Sequence, residues 1–208
     1  MHKKKFYFIV FEGVEGTGKS YQIDKLHKNL KNNNLNSIKT REPGGCRTAE
    51  KIRNLIFSKK SNELDKLTDF FLMNAARNEH VKKTLLVAKK LKKIVISDRF
   101  VDSTYAYQVI AGKIDKKINL MNQKYILKNL KPNLTIVLKA NFQTIYSRIK
   151  KRKNNNKFDK LKTSFYKKVQ NAYLSLANKN KNYLVFDSSS DSTELEKKIF
   201  NIVLNKIK

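Results

Sequence analysis

A glycine-rich segment near the start of the chain carries the residue types that bind nucleotide phosphates. Gly13-Val14-Glu15-Gly16-Thr17-Gly18-Lys19-Ser20 matches the pattern G-x-x-x-x-G-K-[ST], after an apolar run and before a helical pattern. Glycines let backbone N–H groups turn toward phosphate oxygens, and the N-terminus of the next helix favours anions. We expect Lys19 to reach the β- and γ-phosphates and the Ser20 hydroxyl to bind Mg²⁺. The segment predicts nucleotide phosphate binding, which hydrolases, switches, motors and small-molecule kinases share.

A carboxylate and a guanidinium follow another apolar run, in Ser97-Asp98-Arg99-Phe100. Open parallel sheets bind ligands at the carboxyl ends of their strands. Asp98 could lie near Mg²⁺ or an acceptor oxygen there, and Arg99 could clamp a phosphate. An ordinary ion pair at the end of a strand is the alternative. The segment Arg41-Glu-Pro-Gly-Gly45 permits close backbone approach, but alone it predicts only a turn.

Apolar runs alternate with helical patterns along the chain, which predicts an α/β fold. The first helical pattern has Ile23, Leu26 and Leu30 at helical spacing, and further helices are predicted at Thr48–Phe57 and Leu67–Leu91. Strands are predicted at Phe6–Phe11, Asn36–Thr40, Ile94–Ser97, Leu134–Leu138 and Tyr183–Phe186. Alternating strands and helices form βαβ units, so we expect a five-stranded parallel sheet flanked by helices. No linker divides the chain, and one domain over residues 1–208 is predicted.

The chain is strongly basic, with a net charge of +29 over 208 residues. A nucleic-acid-binding module is therefore an alternative to consider. The lysines are dispersed, the aromatic residues fall largely in apolar runs, and A/T-rich codons would enrich both Lys and Asn, so we expect no specific nucleic-acid partner. Arginine is scarce, and a planar guanidinium is hard to replace where it grips a phosphate. The arginines are Arg41, Arg47, Arg53, Arg77, Arg99, Arg148 and Arg152.

Other features indicate a cytoplasmic protein. No apolar run is long enough to cross a bilayer, so no membrane association is predicted. The basic start of the chain lacks the apolar stretch and cleavage site of a secretion signal. Cys46 is the only cysteine and cannot form an internal disulfide or a zinc site, which fits a reducing compartment.

The motifs taken together resemble the thymidylate kinase family. They comprise Phe11–Ser20, Arg41–Gly45 with Ala49–Arg53, Ala75–Arg77, Asp98–Phe100, Asp102–Gln108 and Lys131–Thr135. The resemblance implies a P-loop NTPase fold with a short mobile lid at about residues 148–160, and a homodimer. It also implies transfer of the ATP γ-phosphoryl group to dTMP, giving dTDP for dTTP supply. Another nucleotide or nucleoside kinase on the same scaffold is the alternative.

The resemblance also implies roles for individual residues. Glu15 would lie near the 3′-hydroxyl of dTMP and the metal, with Ser20 and Asp98 as the other metal-binding candidates. Arg41 and Arg99 would surround the monophosphate, Arg77 would face thymine O4, and Tyr107 would crowd the sugar 2′ position. Further dTMP-binding positions are Pro43, Met73, Ser103, Thr104, Gln108 and Asp159. Catalytic roles are expected for Lys19, Asp98, Arg99, Arg148 and Arg152.

Three positions depart from the family pattern. Met73 stands where relatives usually carry a Phe that stacks on thymine, and a thioether can also pack on an aromatic face. Lys157 stands in the lid where a further Arg is usual. Gly16 replaces the P-loop Arg of some relatives, so another cation must meet the transferring phosphoryl group. Arg148 and Arg152 are four residues apart, on one helix face, and are the predicted source.

Overall fold

A five-stranded parallel β-sheet forms the centre of the computed structural model, which describes residues 5–58, 64–151, 162–189 and 192–207. In chain order the strands are β1 (Tyr7–Glu12), β2 (Ser37–Arg41), β3 (Ile94–Asp98), β4 (Leu134–Lys139) and β5 (Tyr183–Asp187). They lie in the order β2-β3-β1-β4-β5, and all neighbouring pairs are parallel. The predicted strands are confirmed, with ends shifted by at most about one residue.

Helices connect successive strands, as the alternating pattern predicts. They are α1 (Lys19–Asn32), α2 (Arg47–Phe57), α3 (Lys66–His80), α4 (Leu86–Lys90), α5 (Val101–Thr104), α6 (Lys116–Leu127), α7 (Phe142–Lys150), α8 (Thr163–Asn178) and α9 (Ser192–Ile207). The helical pattern predicted over Leu67–Leu91 is one continuous run, in which a π-helical turn at Val81–Leu85 joins α3 to α4. Within the described part of the chain, no helix is both long and apolar enough to span a membrane.

A second π-helical segment, Tyr105–Ala111, extends α5. Its i→i+5 hydrogen bonds make a wider turn than an α-helix, and such turns often occur at functional sites. Tyr107 and Gln108 lie in this segment, one turn after Ser103 and Thr104. The periodicity of the sequence alone gave no sign of this widening.

Apolar side chains cover both faces of the sheet. On one face Ile9 and Phe11 of β1 pack with residues of α1 and α9, and on the other Phe8 and Val10 pack with the α3–α4 run. Burying a side chain of this size contributes about 1.5–3 kcal/mol. Because both faces are buried, β1 is a continuous apolar run rather than an alternating one. Because both faces of β1 are packed, this strand cannot slide along its neighbours without exposing apolar side chains.

The register of the central strands brings the predicted motifs together. Asp98 at the end of β3 is level with Phe11 of β1 on one side and with Arg41 of β2 on the other. Since parallel strands end at the same edge, the segments that follow β1, β2 and β3 meet at one rim of the sheet. The glycine-rich loop, the Arg41 segment and the Asp98–Arg99 pair therefore line one cleft.

Candidate active site

The glycine-rich loop between β1 and α1 encloses the ammonium group of Lys19. Lys19 Nζ donates hydrogen bonds to the carbonyl oxygens of Gly13 (2.9 Å) and Val14 (3.0 Å). The Thr17 hydroxyl also donates to the Val14 carbonyl, which closes the loop on itself. Burial and repulsion by Arg99 lower the pKa of Lys19 to about 8. This buried cation is held at the N-terminus of α1, where phosphates are favoured.

Glycine is required in this loop by its backbone conformation. Gly16 and Gly18 have φ angles of 77° and 82°, in the left-handed region. A Cβ atom at Gly16 would lie 2.8 Å from the carbonyl oxygen of Ile145 in α7. The loop therefore packs directly against α7 and leaves no room for a side chain at this position.

Asp98 and Ser20 provide oxygen atoms suited to a divalent cation. The Ser20 hydroxyl lies 3.4 Å from Asp98 Oδ2, while Asp98 Oδ1 is buried and has no hydrogen-bond partner. Mg²⁺ typically binds one or two carboxylates together with substrate phosphates and water. Across the described residues no group of three or more His, Cys, Asp and Glu side chains could hold a metal by itself, which is compatible with that mode. The residues present thus fit Mg²⁺ carried in with a nucleotide.

Arg99 adopts a strained backbone conformation at the end of β3. Its φ angle is 70°, which costs a residue other than glycine roughly 1–3 kcal/mol. Two hydrogen bonds hold this conformation, from the Arg99 N–H to the Phe11 carbonyl (2.9 Å) and from the Ser97 hydroxyl to the Arg99 carbonyl (2.8 Å). The turn directs the guanidinium away from the sheet and back toward the glycine-rich loop.

Glu15, Arg99 and Tyr107 form a buried cluster beside the loop. Arg99 Nη2 donates to Glu15 Oε1 over 2.7 Å, and the Tyr107 hydroxyl donates to Glu15 Oε2 over 2.5 Å. Burial raises the pKa of Glu15, but the charges of Arg99 and Lys19 outweigh it and the pKa is lowered overall. Glu15 is therefore ionised at neutral pH. Both of its oxygens have protein partners, unlike Asp98 Oδ1.

A second buried carboxylate, Glu12, supports this cluster from below. It accepts hydrogen bonds from the Phe100 N–H (2.8 Å) and the Ser103 hydroxyl (2.6 Å). Burial and the nearby Asp102 carboxylate raise the pKa of Glu12 to about 7. The sequence analysis did not select Glu12, because a carboxylate at the end of a buried strand has no partner in its local sequence.

A relay of polar side chains fixes Arg77 on the opposite side of the cleft. Arg77 Nε donates to Glu42 Oε2 (2.6 Å), and His80 Nδ1 lies 2.9 Å from Glu42 Oε1. This series of hydrogen bonds ends at the Thr40 hydroxyl, which lies 2.7 Å from His80 Nε2. Arg77 Nη2 also donates to the Thr104 hydroxyl over 2.9 Å. Burial raises the pKa of Glu42, but Arg77 and His80 outweigh it and lower the pKa overall.

The last residue of β2 and helix α2 contribute two more arginines. Arg41 binds Glu50 through two hydrogen bonds of 3.1 and 2.7 Å, and half of its side chain is exposed. Arg53 donates to the Pro43 carbonyl (2.7 Å) and lies over the ring of Phe57. Arg53 was absent from the predicted site, although it belongs to a motif block.

The predicted residues largely converge on one cavity of about 410 Å³. The volume is in the range of small-molecule sites. Predicted residues that line it are Glu15, Gly18, Lys19, Ser20, Arg41, Pro43, Met73, Arg77, Asp98, Arg99, Ser103, Thr104, Tyr107 and Gln108. The sequence analysis missed the lining residues Tyr21, Glu42, Arg53, Phe57 and Phe100. Gly13, Val14, Gly16 and Thr17 lie in the glycine-rich loop behind the cavity wall.

Of the predicted lid residues, the structure describes Arg148. Its guanidinium donates to the carbonyl oxygens of Gly16 (3.3 Å) and Ser188 (2.8 Å), so it bridges the glycine-rich loop and the segment after β5. Residues 148–150 form the end of α7. Arg152 and Asp159 lie outside the described residues.

The cleft combines two halves with different chemistry. The glycine-rich loop, Lys19 and Ser20 present donors for a phosphate chain, whereas Arg77, Thr104 and Gln108 present polar groups beside the apolar side chains of Met73 and Phe100. Arg99 and Glu15 lie between the two halves. A parallel sheet with this loop at the rim, and a second half of the same cleft facing the loop, defines a P-loop protein that binds a nucleotide and a second small molecule.

Comparison with known proteins agrees with this class and narrows it. The family model described as thymidylate kinase matches residues 11–199. A thymidylate kinase from Mycoplasma capricolum is 37% identical over 204 residues, covering 97% of this chain and 96% of the relative. One from Ligilactobacillus salivarius is 38% identical, covering 88% and 90% respectively. The chain belongs to the thymidylate kinase family.

A solved structure gives the same result for the fold. The crystal structure of thymidylate kinase from Ehrlichia chaffeensis superposes with a TM-score of 0.78 and 28% sequence identity. The match covers 96% of this chain and 99% of that structure. The P-loop NTPase fold predicted from the sequence is thereby confirmed.

Proposed function

We propose that this chain phosphorylates dTMP by holding ATP on the glycine-rich loop and the monophosphate of dTMP on Arg99. The family gives the reaction, in which an ATP-dependent kinase converts dTMP into dTDP for dTTP synthesis. The observation that supports these positions is the cluster of Glu15 with Arg99, 2.7 Å apart at the junction of the two halves of the cleft. A phosphate gripped by Arg99 would lie next to the phosphates held by Lys19.

The positive charges of three arginines support binding of the dTMP monophosphate in the acceptor half of the cleft. Arg41, Arg53 and Arg99 all line the cavity, and a planar guanidinium can bind a phosphate through two parallel N–H donors. Arg99 is buried and oriented before substrate arrives, so little side-chain entropy is lost on binding. To bind the same phosphate, Arg41 must either break its hydrogen bonds to Glu50 or donate to Glu50 and the phosphate at once.

The half of the cleft around Arg77 supports an acceptor nucleotide whose base is a pyrimidine with a carbonyl group. Arg77 uses Nε and Nη2 in bonds to Glu42, Phe100 and Thr104, which fixes the plane of its guanidinium along the cavity wall. A guanidinium is only a donor, so the position it faces must be an acceptor, such as thymine O4. Met73 and Phe100 supply apolar surface for the ring, and we propose that Tyr107, which is bonded to the Glu15 carboxylate, crowds the 2′ position of the sugar.

Mg²⁺ is the divalent ion that we propose for the donor end. Ser20 and Asp98 would hold it, because Asp98 Oδ1 is buried in the cleft next to Ser20 and has no protein partner. When bound, the ion neutralises the charge that develops on the phosphate oxygens. Glu15 was predicted to lie near both the sugar 3′-hydroxyl and the metal, and we propose that it accepts a hydrogen bond from the 3′-hydroxyl while its charge also favours the metal.

A cation is also needed where the γ-phosphoryl group is transferred. Lys19 is one, and its buried ammonium would exchange the Gly13 and Val14 carbonyls for phosphate oxygens. Arg148 is the described lid residue nearest to the loop, 3.3 Å from the Gly16 carbonyl, and we propose that it orients this loop while Arg152 meets the transferring group. Removal of Arg152 should then lower kcat about 100-fold or more, with little change in the KM for dTMP.

We infer that the active species is a homodimer formed by one face of the molecule. Helix α3 packs between α2 and α6, and these helices leave large apolar side chains exposed. Leu55, Phe71, Met121 and Tyr125 have exposed fractions of 51%, 47%, 57% and 75%. Large exposed apolar side chains on helices that pack together support an interaction surface there. Sedimentation of the wild type should give a dimer, and Phe71→Glu should give a monomer; a wild-type monomer at micromolar concentration would contradict the inference.

An acceptor panel tests the proposed reaction directly. ADP release is measured with ATP and Mg²⁺ over dTMP, dUMP, UMP, CMP, AMP and GMP at equal concentration. We expect the highest kcat/KM for dTMP and a strong loss for the ribonucleotide UMP. Faster turnover of AMP, or of a nucleoside, would assign the chain to another kinase class.

A further inference from the structure

A tyrosine from a distant helix reaches into the support of Arg99. The hydroxyl of Tyr173, in α8, lies 3.0 Å from Arg99 Nη1 and 2.8 Å from the Ser103 hydroxyl. Tyr173 is only 1% exposed and does not line the cavity. It is therefore in contact with a substrate-binding residue without being in a position to touch substrate.

We propose that Tyr173 is a positioning residue, whose hydroxyl holds the Arg99 guanidinium in the orientation that grips the acceptor phosphate. The inference rests on the proposed role of Arg99 and adds a residue that acts through it. Neither the motif blocks nor the P-loop pattern includes Tyr173.

The directions of the hydrogen bonds can be assigned from proton counting. When Glu12, whose pKa is about 7, is ionised, the Ser103 hydroxyl donates its single proton to Glu12 Oε2, because a carboxylate can only accept. Ser103 must then accept from the Tyr173 hydroxyl, and the Tyr173 oxygen must accept from Arg99 Nη1. Burial raises the pKa of Tyr173, so its hydroxyl keeps the proton that this chain requires.

In the resulting series of hydrogen bonds each group donates to the next, from Arg99 through Tyr173 and Ser103 to Glu12. Glu12 is anchored in turn by the Phe100 N–H, in the residue next to Arg99. The two guanidinium nitrogens of Arg99 are thus held from opposite sides, Nη2 by Glu15 and Nη1 by Tyr173 and Ser103. Without the Tyr173 oxygen, Nη1 keeps only the longer bond to Ser103 (3.1 Å), and the guanidinium can rotate about its bond to Glu15.

Packing alone does not explain a tyrosine at this position. A phenyl ring would fill the same space between α8 and the π-helical segment, and a buried hydroxyl costs free energy unless it is hydrogen-bonded. Tyr173 meets that cost through Arg99 and Ser103. The hydroxyl, rather than the ring, is therefore the part of this side chain that bears on the site.

A double-mutant cycle between Tyr173→Phe and Arg99→Lys tests the inference. In the wild-type background we expect Tyr173→Phe to lower kcat/KM for dTMP roughly 10-fold, while the KM for ATP stays within about 2-fold. In the Arg99→Lys background the same change should have less than about a 2-fold effect, because the oriented guanidinium is already lost. If Tyr173→Phe lowered kcat/KM for dTMP by the same factor in both backgrounds, the inference would be overturned.

Tyr146→Phe provides a control that also removes one tyrosine hydroxyl. The Tyr146 hydroxyl, in α7, lies 2.8 Å from the Thr163 hydroxyl at the start of α8. Both Phe variants should keep a cooperative thermal transition, and Tyr146→Phe should keep wild-type kcat/KM within about 2-fold. Equal losses in the two variants would show a general packing effect and contradict the proposal. A small loss of kcat/KM in the Arg99→Lys single variant would instead refute the proposed role of Arg99. Failure of the Tyr173 inference and failure of the Arg99 role are therefore distinguishable.

Discussion

Arg99 Nη2 lies 2.7 Å from Glu15 Oε1, and this ion pair joins the end of β3 to the middle of the glycine-rich loop. The side chains of Arg99 and Glu15 are 15% and 8% exposed. With the donor phosphates on the loop and the acceptor phosphate on Arg99, as we propose, the pair would set the distance between the donor and acceptor ends of the cleft. It also explains why a strained backbone is retained at Arg99.

Breaking the buried relay at Arg77 should destabilise the fold. Glu42→Gln leaves the Arg77 guanidinium without its charged partner, and we expect the free energy of unfolding to fall by about 3–5 kcal/mol. Glu50→Gln is the control, since its pair with Arg41 is largely exposed and should be worth about 1 kcal/mol or less. Urea unfolding at pH 7 measures both. Similar losses in the two variants would contradict a special role for burial.

The lowered pKa of Lys19 predicts that ATP binding takes up a proton in mildly alkaline solution. With a pKa of about 8, much of Lys19 is neutral at pH 8.5 in the free protein. Triphosphate charges favour the ammonium form, so binding should raise this pKa and draw a proton from solvent. Calorimetry at pH 8.5 in two buffers of different ionisation enthalpy should show net uptake. Lys19→Arg should abolish it, because a guanidinium stays charged; uptake that is absent in the wild type would contradict the prediction.

Restoring an aromatic residue at position 73 should strengthen base binding. Met73 is buried at the cavity wall, and a phenyl ring there could stack on thymine. Stacking of aromatic groups contributes about 0.5–1.5 kcal/mol beyond area burial, so Met73→Phe should lower the KM for dTMP roughly 2- to 10-fold. The KM for ATP serves as the internal control. A raised KM for dTMP at unchanged melting temperature would place the base elsewhere.

Asp98 should determine the concentration of Mg²⁺ that the reaction needs. An amide in Asp98→Asn cannot supply the anionic oxygen now left unpartnered at Oδ1, so half-saturation by Mg²⁺ should rise by about 10-fold or more. Asp187→Asn is the control, because that carboxylate is exposed at the end of β5. Rates are measured across a Mg²⁺ titration at fixed ATP. An unchanged Mg²⁺ dependence in Asp98→Asn would remove this residue from the metal site.

Local sequence patterns predict the strands and the phosphate-binding loop well, for a physical reason. Strand β1 is apolar throughout because both faces are buried, and the loop needs glycine at fixed spacing because of its left-handed backbone at Gly16 and Gly18. These requirements act within a few residues. The same holds for Arg99, which directly follows a strand and was predicted on that basis.

Contacts across the sheet could not be read from the sequence. Glu42 is brought to Arg77 and His80 by the packing of α3 beside β2, and Tyr173 reaches Arg99 from α8. Each contact depends on the strand order β2-β3-β1-β4-β5, which no local pattern specifies. The π-helical turn at Tyr105–Ala111 likewise has no compositional signature.

The most direct test of the account is the kinetic effect of Arg99→Lys. Lysine keeps the charge, but its single ammonium group cannot hold Glu15 and Tyr173 in the planar arrangement of Nη2 and Nη1 and also present an N–H to a phosphate. We expect kcat/KM for dTMP to fall roughly 30- to 150-fold, equivalent to about 2–3 kcal/mol of transition-state stabilisation. Arg47→Lys, at the exposed first residue of α2, should stay within about 2-fold of the wild type. Wild-type kinetics in Arg99→Lys would contradict the assignment of the acceptor phosphate to this residue.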